Sequence, residues 1–168
     1  MALTMEQKDA FWRDGFLPVQ NLLAGDEVEA LRRRTDQISL GEVEFLRQYI
    51  QNEPDLEGAA HAETLDPLHR VRKIWRLTDY DPVFQLYARH PAIVAVVVDL
   101  LGPDVKLYAD QMLLKPPFHG SAKPYQQDSA YWPIEPRELV TCWLAMDDAT
   151  RENGCMRFLP GTHRLGLV

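Results

Sequence analysis

The chain has 168 residues and a formal net charge of −7, with 25 acidic against 18 basic side chains. This length suggests one domain with a buried core, and the acidic balance argues against nucleic acid, which binds to a clustered basic surface. The longest apolar run, residues 92–98, is too short to span a bilayer, and the N-terminus lacks a signal-peptide pattern. We therefore expect a cytoplasmic globular protein.

The first hundred residues are predicted to be mainly helical. Thr4 and Gln7 form a capping-box pattern that begins a helix over residues 4–14, and Gly15 ends it. Apolar periodicity, caps and prolines predict further helices over residues 26–37 (capped by Asp26), 41–50, 82–89 and 91–101. Short strands are predicted over 16–19 and 71–77, while residues 52–68 are typical of a mobile surface loop.

From residue 105 onward the pattern changes to β. Strands are predicted over residues 105–114, 126–132, 139–146 and 155–159, separated by turns rich in Pro, Gly and Asn. Cys142 and Cys155 lie within apolar strand patterns, which favours two buried free thiols over a disulfide. A helical first half followed by a β second half indicates an α+β fold whose sheet packs against the helices.

The segment Gln126-Gln127-Asp128 has the spacing of a metal-binding pair. Residues i and i+2 of a strand face the same way, so two ligands there can hold one ion, and a distant His completes a 2-His-1-carboxylate site. Iron prefers an imidazole nitrogen at the first position, and the Gln126 amide is a weaker, neutral ligand. Taken alone, Asp128 is more typical of a structural or loop-capping residue.

Six segments, spread over nearly the whole chain, carry a resemblance to a known family. They are GFLPVQNLL, RKIW, QMLLKPP, KPYQQDSAYW, ELVTCWLAMDDATRENGCM and LPGTH. In this order they resemble the phytanoyl-CoA dioxygenase family of Fe(II)/2-oxoglutarate oxygenases. The resemblance implies N-terminal helices packed on a double-stranded β-helix, or jelly roll, and hydroxylation of a small or lipid-like organic substrate.

The resemblance also implies roles for individual residues. Asp128 matches the iron-binding carboxylate, and Gln126 stands where the family usually has the first iron-binding His. Lys73, Met112 and Trp143 match positions that line the 2-oxoglutarate pocket. Each of these three has a simpler alternative, since Lys73 is equally explained as a surface lysine and the other two as core residues.

The five histidines offer little to replace the missing ligand. His119 precedes a glycine-serine loop and is the one candidate that could turn towards the metal, although it falls outside the i, i+2 geometry. His163, in the Pro-Gly-Thr-His turn, is expected to be a structural hydrogen-bonding residue. The remaining three, at positions 61, 69 and 90, have no partner at zinc-ligand spacing.

In the family, the second histidine and the arginine that pairs with 2-oxoglutarate come later than position 161, and Arg164 lies too close to the turn to replace that arginine. We therefore expect a single domain over residues 1–168, apparently truncated. Its first 104 residues are mainly helical, and residues 105–168 form the first half of the β-helix. An incomplete barrel exposes strand edges and apolar faces, which favours a homo-oligomer or a complementing chain. Three interpretations remain open: an oxygenase impaired by Gln126 and by the missing C-terminal half, a non-catalytic binding module, and one part of a split protein.

Overall fold

The computed structural model describes residues 2–59, 62–117 and 120–167. In these ranges the chain forms five helices and one small antiparallel sheet, which is an α+β arrangement. The helices are α1 (Met5–Asp14), α2 (Gly25–Ser39), α3 (Leu77–Tyr80), α4 (Pro82–Ala88) and α5 (Pro91–Leu101). The strands are β1 (Ile50–Asn52), β2 (Val71–Trp75) and β3 (Gln111–Leu113).

The sheet has the order β1-β2-β3, and its two faces differ in character. Ile74 of β2 is paired with Ile50 on one side and with Met112 on the other, whereas Lys73 is paired with Leu113. Paired residues point to the same face of a sheet, and neighbours along a strand point to opposite faces. Ile74 and Met112 therefore face the helices, while Lys73 and Leu113 face away from them.

The main hydrophobic core lies between β2 and the helices. Its buried members come from α2, α3, α4, β2 and the short 3-10 turn Glu44–Tyr49: Leu31, Ile38, Leu46, Val71, Ile74, Leu77 and Phe84. Four partly buried residues of the second half of the chain pack against this core, namely Met112, Leu114, Leu144 and Met146. A second cluster of Leu3, Val96 and Leu100 joins the N-terminus to α5.

The helices predicted from local signals are largely confirmed. Thr4 and Gln7 make the reciprocal capping-box bonds of α1, and Gly15 ends that helix in the left-handed conformation. Helices α4 and α5 each begin with a proline, as their sequences predict. The prediction that Asp26 caps α2 is wrong. This helix begins at Gly25, so its N-cap residue is Ala24, whose N–H donates to the Glu27 carboxylate at 2.8 Å.

Other segments differ from their predictions. Residues 41–50 contain the 3-10 turn Glu44–Tyr49 and then enter β1, and residues 16–19 form no strand. The predicted loop 52–68 holds three 3-10 turns among its described residues and buries Leu56 and Glu53. Cys142 and Cys155 are free thiols, as predicted, but the first is exposed and the second half-buried.

Most of the predicted β second half is not strand. Of the four strands expected after residue 104, only Gln111–Leu113 forms a hydrogen-bonded ladder among the described residues, and Asp128–Ala130 is a 3-10 turn. The reason is that a strand requires a partner for its backbone N–H and C=O groups. Residues 139–146 still show a period of two, since Leu144 and Met146 pack on the core and Trp143 is exposed.

The second half of the chain leaves many large apolar side chains at the surface. Those at least a third exposed after residue 104 are Val105, Leu107, Tyr108, Leu113, Tyr125, Tyr131, Trp143, Met156, Phe158, Leu159, Leu165 and Leu167. No single described helix is long and apolar enough to cross a membrane, and only α4 and α5 taken together, bent by 43°, meet that test by length and composition.

Candidate functional site

The candidate site is built around the carboxylate of Asp128. Gln126 Nε2 donates to Asp128 Oδ1 at 3.1 Å, and Thr141 Oγ1 donates to Asp128 Oδ2 at 3.0 Å. A carboxylate only accepts hydrogen bonds, so the Gln126 amide must present its nitrogen to Asp128. Both oxygens of Asp128 therefore already have a neutral protein donor.

The local backbone brings Gln126 and Asp128 together, although not as a strand. Asp128 begins the 3-10 turn Asp128–Ala130, and Gln127 before it has an extended backbone. Gln127 Nε2 donates to the Gly166 carbonyl at 2.9 Å, which ties this segment to residues near the end of the chain. Asp128 is half-buried and Gln126 is exposed, so the pair is open to solvent on one side.

Thr141 is the member of this cluster that sequence reasoning missed. It lies 13 residues after Asp128, and its hydroxyl contact depends on how two separate segments pack. One signal was available, because a period of two places Thr141 on the same side as Trp143 and opposite Leu144. That period did not indicate which polar group would face Thr141.

Lys73 lies on the face of β2 that points away from the helices. Its ammonium is 5.3 Å from the ring centroid of Trp75, two residues along the same face. Partial burial lowers the pKa of Lys73 from its ordinary 10.5, and the nearby charges of Lys123 and Arg72 lower it further. A cation that is partly desolvated and has cationic neighbours is suited to an anionic ligand.

Met112 and Trp143 occupy opposite environments. Met112 packs against the main core from β3, opposite Ile74, and hence lies on the other face of the sheet from Lys73. Trp143 is 47% exposed and points away from that core. The structure therefore brings Gln126 and Asp128 together but separates Met112 from Lys73, and a role for Lys73, Met112 or Trp143 in binding a co-substrate stays a prediction.

The donor set around Asp128 does not by itself fit Fe(II). One carboxylate and one amide are present, and the amide turns its nitrogen rather than its oxygen to the site. Within the described ranges, no group of three His, Cys, Asp or Glu side chains is placed to hold a metal ion. A non-haem iron site uses two imidazoles and a carboxylate, so two of its three ligands have no counterpart in this cluster.

None of the described histidines fills this gap. His119 and His61 lie outside the described residues. His163 is held at the end of α1, where its Nε2 lies 3.1 Å from the Trp12 carbonyl, as expected for a structural residue. His90 Nε2 lies 3.1 Å from a carboxylate oxygen of Glu27 and thus joins α5 to α2.

The fold and the site together define a class: an α+β protein with a polar carboxylate cluster in its second half and a cationic residue on the open face of its sheet. The family model for phytanoyl-CoA dioxygenase (PhyH) matches residues 11–168, and the chain belongs to this family, which confirms the resemblance. Proteins of the family are Fe(II)- and 2-oxoglutarate-dependent dioxygenases.

Individual relatives support the same assignment. The chain is 29% identical to human peroxisomal phytanoyl-CoA dioxygenase and 34% identical to a probable phytanoyl-CoA dioxygenase of Caenorhabditis elegans. It is also 29% identical to an L-proline trans-4-hydroxylase of Streptomyces griseoviridis. These matches cover 98%, 96% and 98% of this chain but 49%, 53% and 57% of the relatives, so the chain spans about half of their length.

Proposed function

We propose that the protein is an Fe(II)/2-oxoglutarate-dependent oxygenase of the phytanoyl-CoA dioxygenase type that hydroxylates a small or lipid-like organic substrate, with turnover impaired by Gln126. Family membership supports the reaction class, and the relatives' names include a dioxygenase of an acyl-CoA and a hydroxylase of an amino acid. The impairment is inferred from the Gln126 amide, whose nitrogen donates a hydrogen bond to Asp128.

Four side chains would serve such a site. Asp128 would supply the anionic oxygen ligand, and Thr141 fixes the direction of that carboxylate through its hydroxyl. Lys73 presents a cation on the open face of the sheet, where it would pair with a carboxylate of the co-substrate. The exposed Trp143 supplies an apolar wall on the side away from the core.

The proposal extends to the architecture. Residues 1–168 would form one domain in which helices pack on a double-stranded β-helix, with residues 105–168 as the first half of that jelly roll. The small antiparallel sheet and the outward-facing side chains of Lys73 and Leu113 support it, because a second sheet would cover that face. We also propose a cytoplasmic location and association either as a homo-oligomer or with a complementing chain.

Succinate formation from 2-oxoglutarate tests this function. The full-length protein would be assayed with Fe(II) and ascorbate as the natural sequence, as Gln126→His and as Gln126→His with Asp128→Ala. We expect turnover near background for the natural sequence, at least tenfold more for Gln126→His because an imidazole binds Fe(II) better than an amide, and loss of that gain without Asp128. Equal turnover in all three proteins would exclude an iron site at Asp128.

A second function, metal-free binding of a small organic anion, is favoured by one observation. Both oxygens of Asp128 already accept a hydrogen bond from Gln126 or Thr141, so the fold does not need a metal to satisfy this carboxylate. Calorimetric titration with 2-oxoglutarate in the presence of EDTA separates the two functions. Tight binding without metal supports a binding module, whereas binding that requires added Fe(II) supports the oxygenase.

A further inference from the structure

We propose that the side chains of Gln126, Asp128 and Thr141 form a metal-independent cross-link that takes over the structural role of a metal centre. The Asp128 carboxylate receives an N–H from residue 126 at 3.1 Å and an O–H from residue 141 at 3.0 Å, one on each oxygen. The proposal concerns the same site as the proposed function but does not depend on turnover.

The orientation of the Gln126 amide determines whether Gln126 and Asp128 can bind one ion together. Its nitrogen faces Asp128, so its carbonyl oxygen, the only atom of this side chain that can bind a cation, is on the other side of the amide. For both residues to bind one ion, the amide must turn over and its hydrogen bond to Asp128 must break. The hydrogen bond and metal binding by this pair are therefore mutually exclusive.

Thr141 belongs to a segment that is attached to the core. Leu144 and Met146 pack against the buried cluster between the sheet and the helices. In addition, Arg32 of α2 donates to the Met146 carbonyl and forms an ion pair of 2.9 Å with Asp147. The segment that carries Thr141 is thus fixed to the helical half.

These contacts make Asp128 the link between two parts of the second half of the chain. Through Thr141, the turn Asp128–Ala130 is attached to a segment that is itself anchored on α2. Metal centres commonly connect segments in this way, by holding ligands from separate parts of a chain. Here two neutral donors and one carboxylate make the connection, and Thr141 acts as a positioning residue for Asp128.

A double-mutant cycle in EDTA tests the cross-link. Thermal unfolding of the full-length protein would be measured for Thr141→Val and Gln126→Leu, each in the natural and in the Asp128→Ala background. We expect each change to lower Tm by about 2–4 °C in the natural background and to have no effect without Asp128, since the hydrogen bond is then already lost. The exposed Gln20→Leu serves as the control and leaves Tm unchanged.

Metal titration provides the second readout. Co(II), followed by its visible absorbance, would be titrated into the natural protein and into Gln126→His. We expect at least tenfold tighter binding by Gln126→His, and no loss of Tm when EDTA is added to the natural protein. Two results would overturn the proposal: Co(II) binding of equal strength in both proteins, or Tm losses that persist in the Asp128→Ala background.

The outcomes also distinguish this inference from the proposed function. If the cycle shows coupling to Asp128 but no variant forms succinate, the cross-link stands and the oxygenase proposal falls. If the natural protein forms succinate with bound iron and the cycle shows no coupling, the oxygenase proposal stands without the impairment and the cross-link falls.

Discussion

At the scale of single residues, the site depends on which atom each side chain presents. The sequence predicts that residues 126 and 128 lie side by side on a strand. The structure joins them by a side-chain hydrogen bond, but Asp128 begins a 3-10 turn and is not part of a strand. Thr141 could not be predicted as the second donor, because its contact arises from tertiary packing across 13 residues. Local spacing thus predicted that Gln126 and Asp128 lie close together, but not the second hydrogen-bond partner of Asp128.

Lys73 gives a prediction with a defined pH dependence. Burial lowers its pKa below the ordinary 10.5, so its charge, and with it the attraction for an anionic ligand, is lost at a lower pH than for an exposed lysine. Affinity for 2-oxoglutarate should therefore fall as pH rises through this lowered pKa. Lys73→Gln should weaken binding by about tenfold at neutral pH and remove the pH dependence.

Calorimetric titrations of 2-oxoglutarate between neutral and alkaline pH would check this prediction. The exposed Lys106→Gln is the matched control, since it removes the same charge from the surface outside the sheet. An unchanged affinity in Lys73→Gln would show that this lysine does not meet the co-substrate.

Asp81 gives a prediction about stability. Its side chain is fully buried, pairs with Arg34 Nε at 2.7 Å and caps α4 by accepting the Val83 N–H at 3.0 Å. Asp81→Ala removes the cap and leaves a half-buried guanidinium without its partner, so the free energy of unfolding should fall by about 3 kcal/mol. Urea denaturation measures this loss.

Asp79→Ala is the comparison for that measurement. Asp79 pairs with Arg76 at 2.7 Å, but both side chains are about half exposed, and such pairs contribute about 1 kcal/mol or less. Equal losses of unfolding free energy for Asp79→Ala and Asp81→Ala would show that burial does not determine how much these ion pairs contribute.

At the scale of elements, the end of α1 is closed by residues from far along the chain. The Gly161 N–H donates to the Asp14 carbonyl at 2.8 Å, and His163 lies against the Trp12 carbonyl. Helix C-termini leave carbonyls without partners, and these two contacts satisfy them. The LPGTH motif, identified in the sequence by its resemblance, thus has a structural role at this helix.

Gly15 makes this contact possible and can be tested. It has φ of +85°, and a Cβ there would lie 2.3 Å from His163 Nδ1. Gly15→Ala should therefore lower the free energy of unfolding by about 1–2 kcal/mol and shift the NMR signals of His163. Gly25→Ala is the control, because Gly25 has negative φ and open space around its Cβ position, and it should be neutral or slightly stabilising.

The elements that could be predicted are those that depend on local interactions. Helix α1 and the prolines of α4 and α5 were predictable because caps and periodicity act within a few residues. Strands after residue 104 were not, because a strand exists only when another strand supplies its hydrogen bonds. Residues 139–146 keep the alternation of a strand without a ladder, which shows that pattern and pairing are separate requirements.

At the scale of the whole molecule, the two halves differ in how much apolar surface they bury. The first half contains the core, while the second half exposes residues such as Leu107, Trp143 and Phe158, each about half accessible. A large exposed apolar surface promotes association. We therefore expect the 168-residue chain, prepared alone, to self-associate with increasing concentration in sedimentation experiments.

Leu107→Lys combined with Leu165→Lys should reduce this association without lowering Tm by more than a few degrees, because both side chains lie at the surface. A chain that remains monomeric at all concentrations would show that this apolar surface does not drive assembly.

The iron content of the purified protein tests the central claim most directly. We propose that Asp128 corresponds to the family's iron-binding carboxylate but is hydrogen-bonded to Gln126 and holds no metal in this chain. The natural full-length protein and Gln126→His would be purified side by side under anaerobic, iron-replete conditions and analysed by mass spectrometry of the metal. We predict far less than one iron per chain in the natural protein and a clear increase in Gln126→His. Close to one iron per chain in the natural protein, lost in Asp128→Ala, would contradict the account.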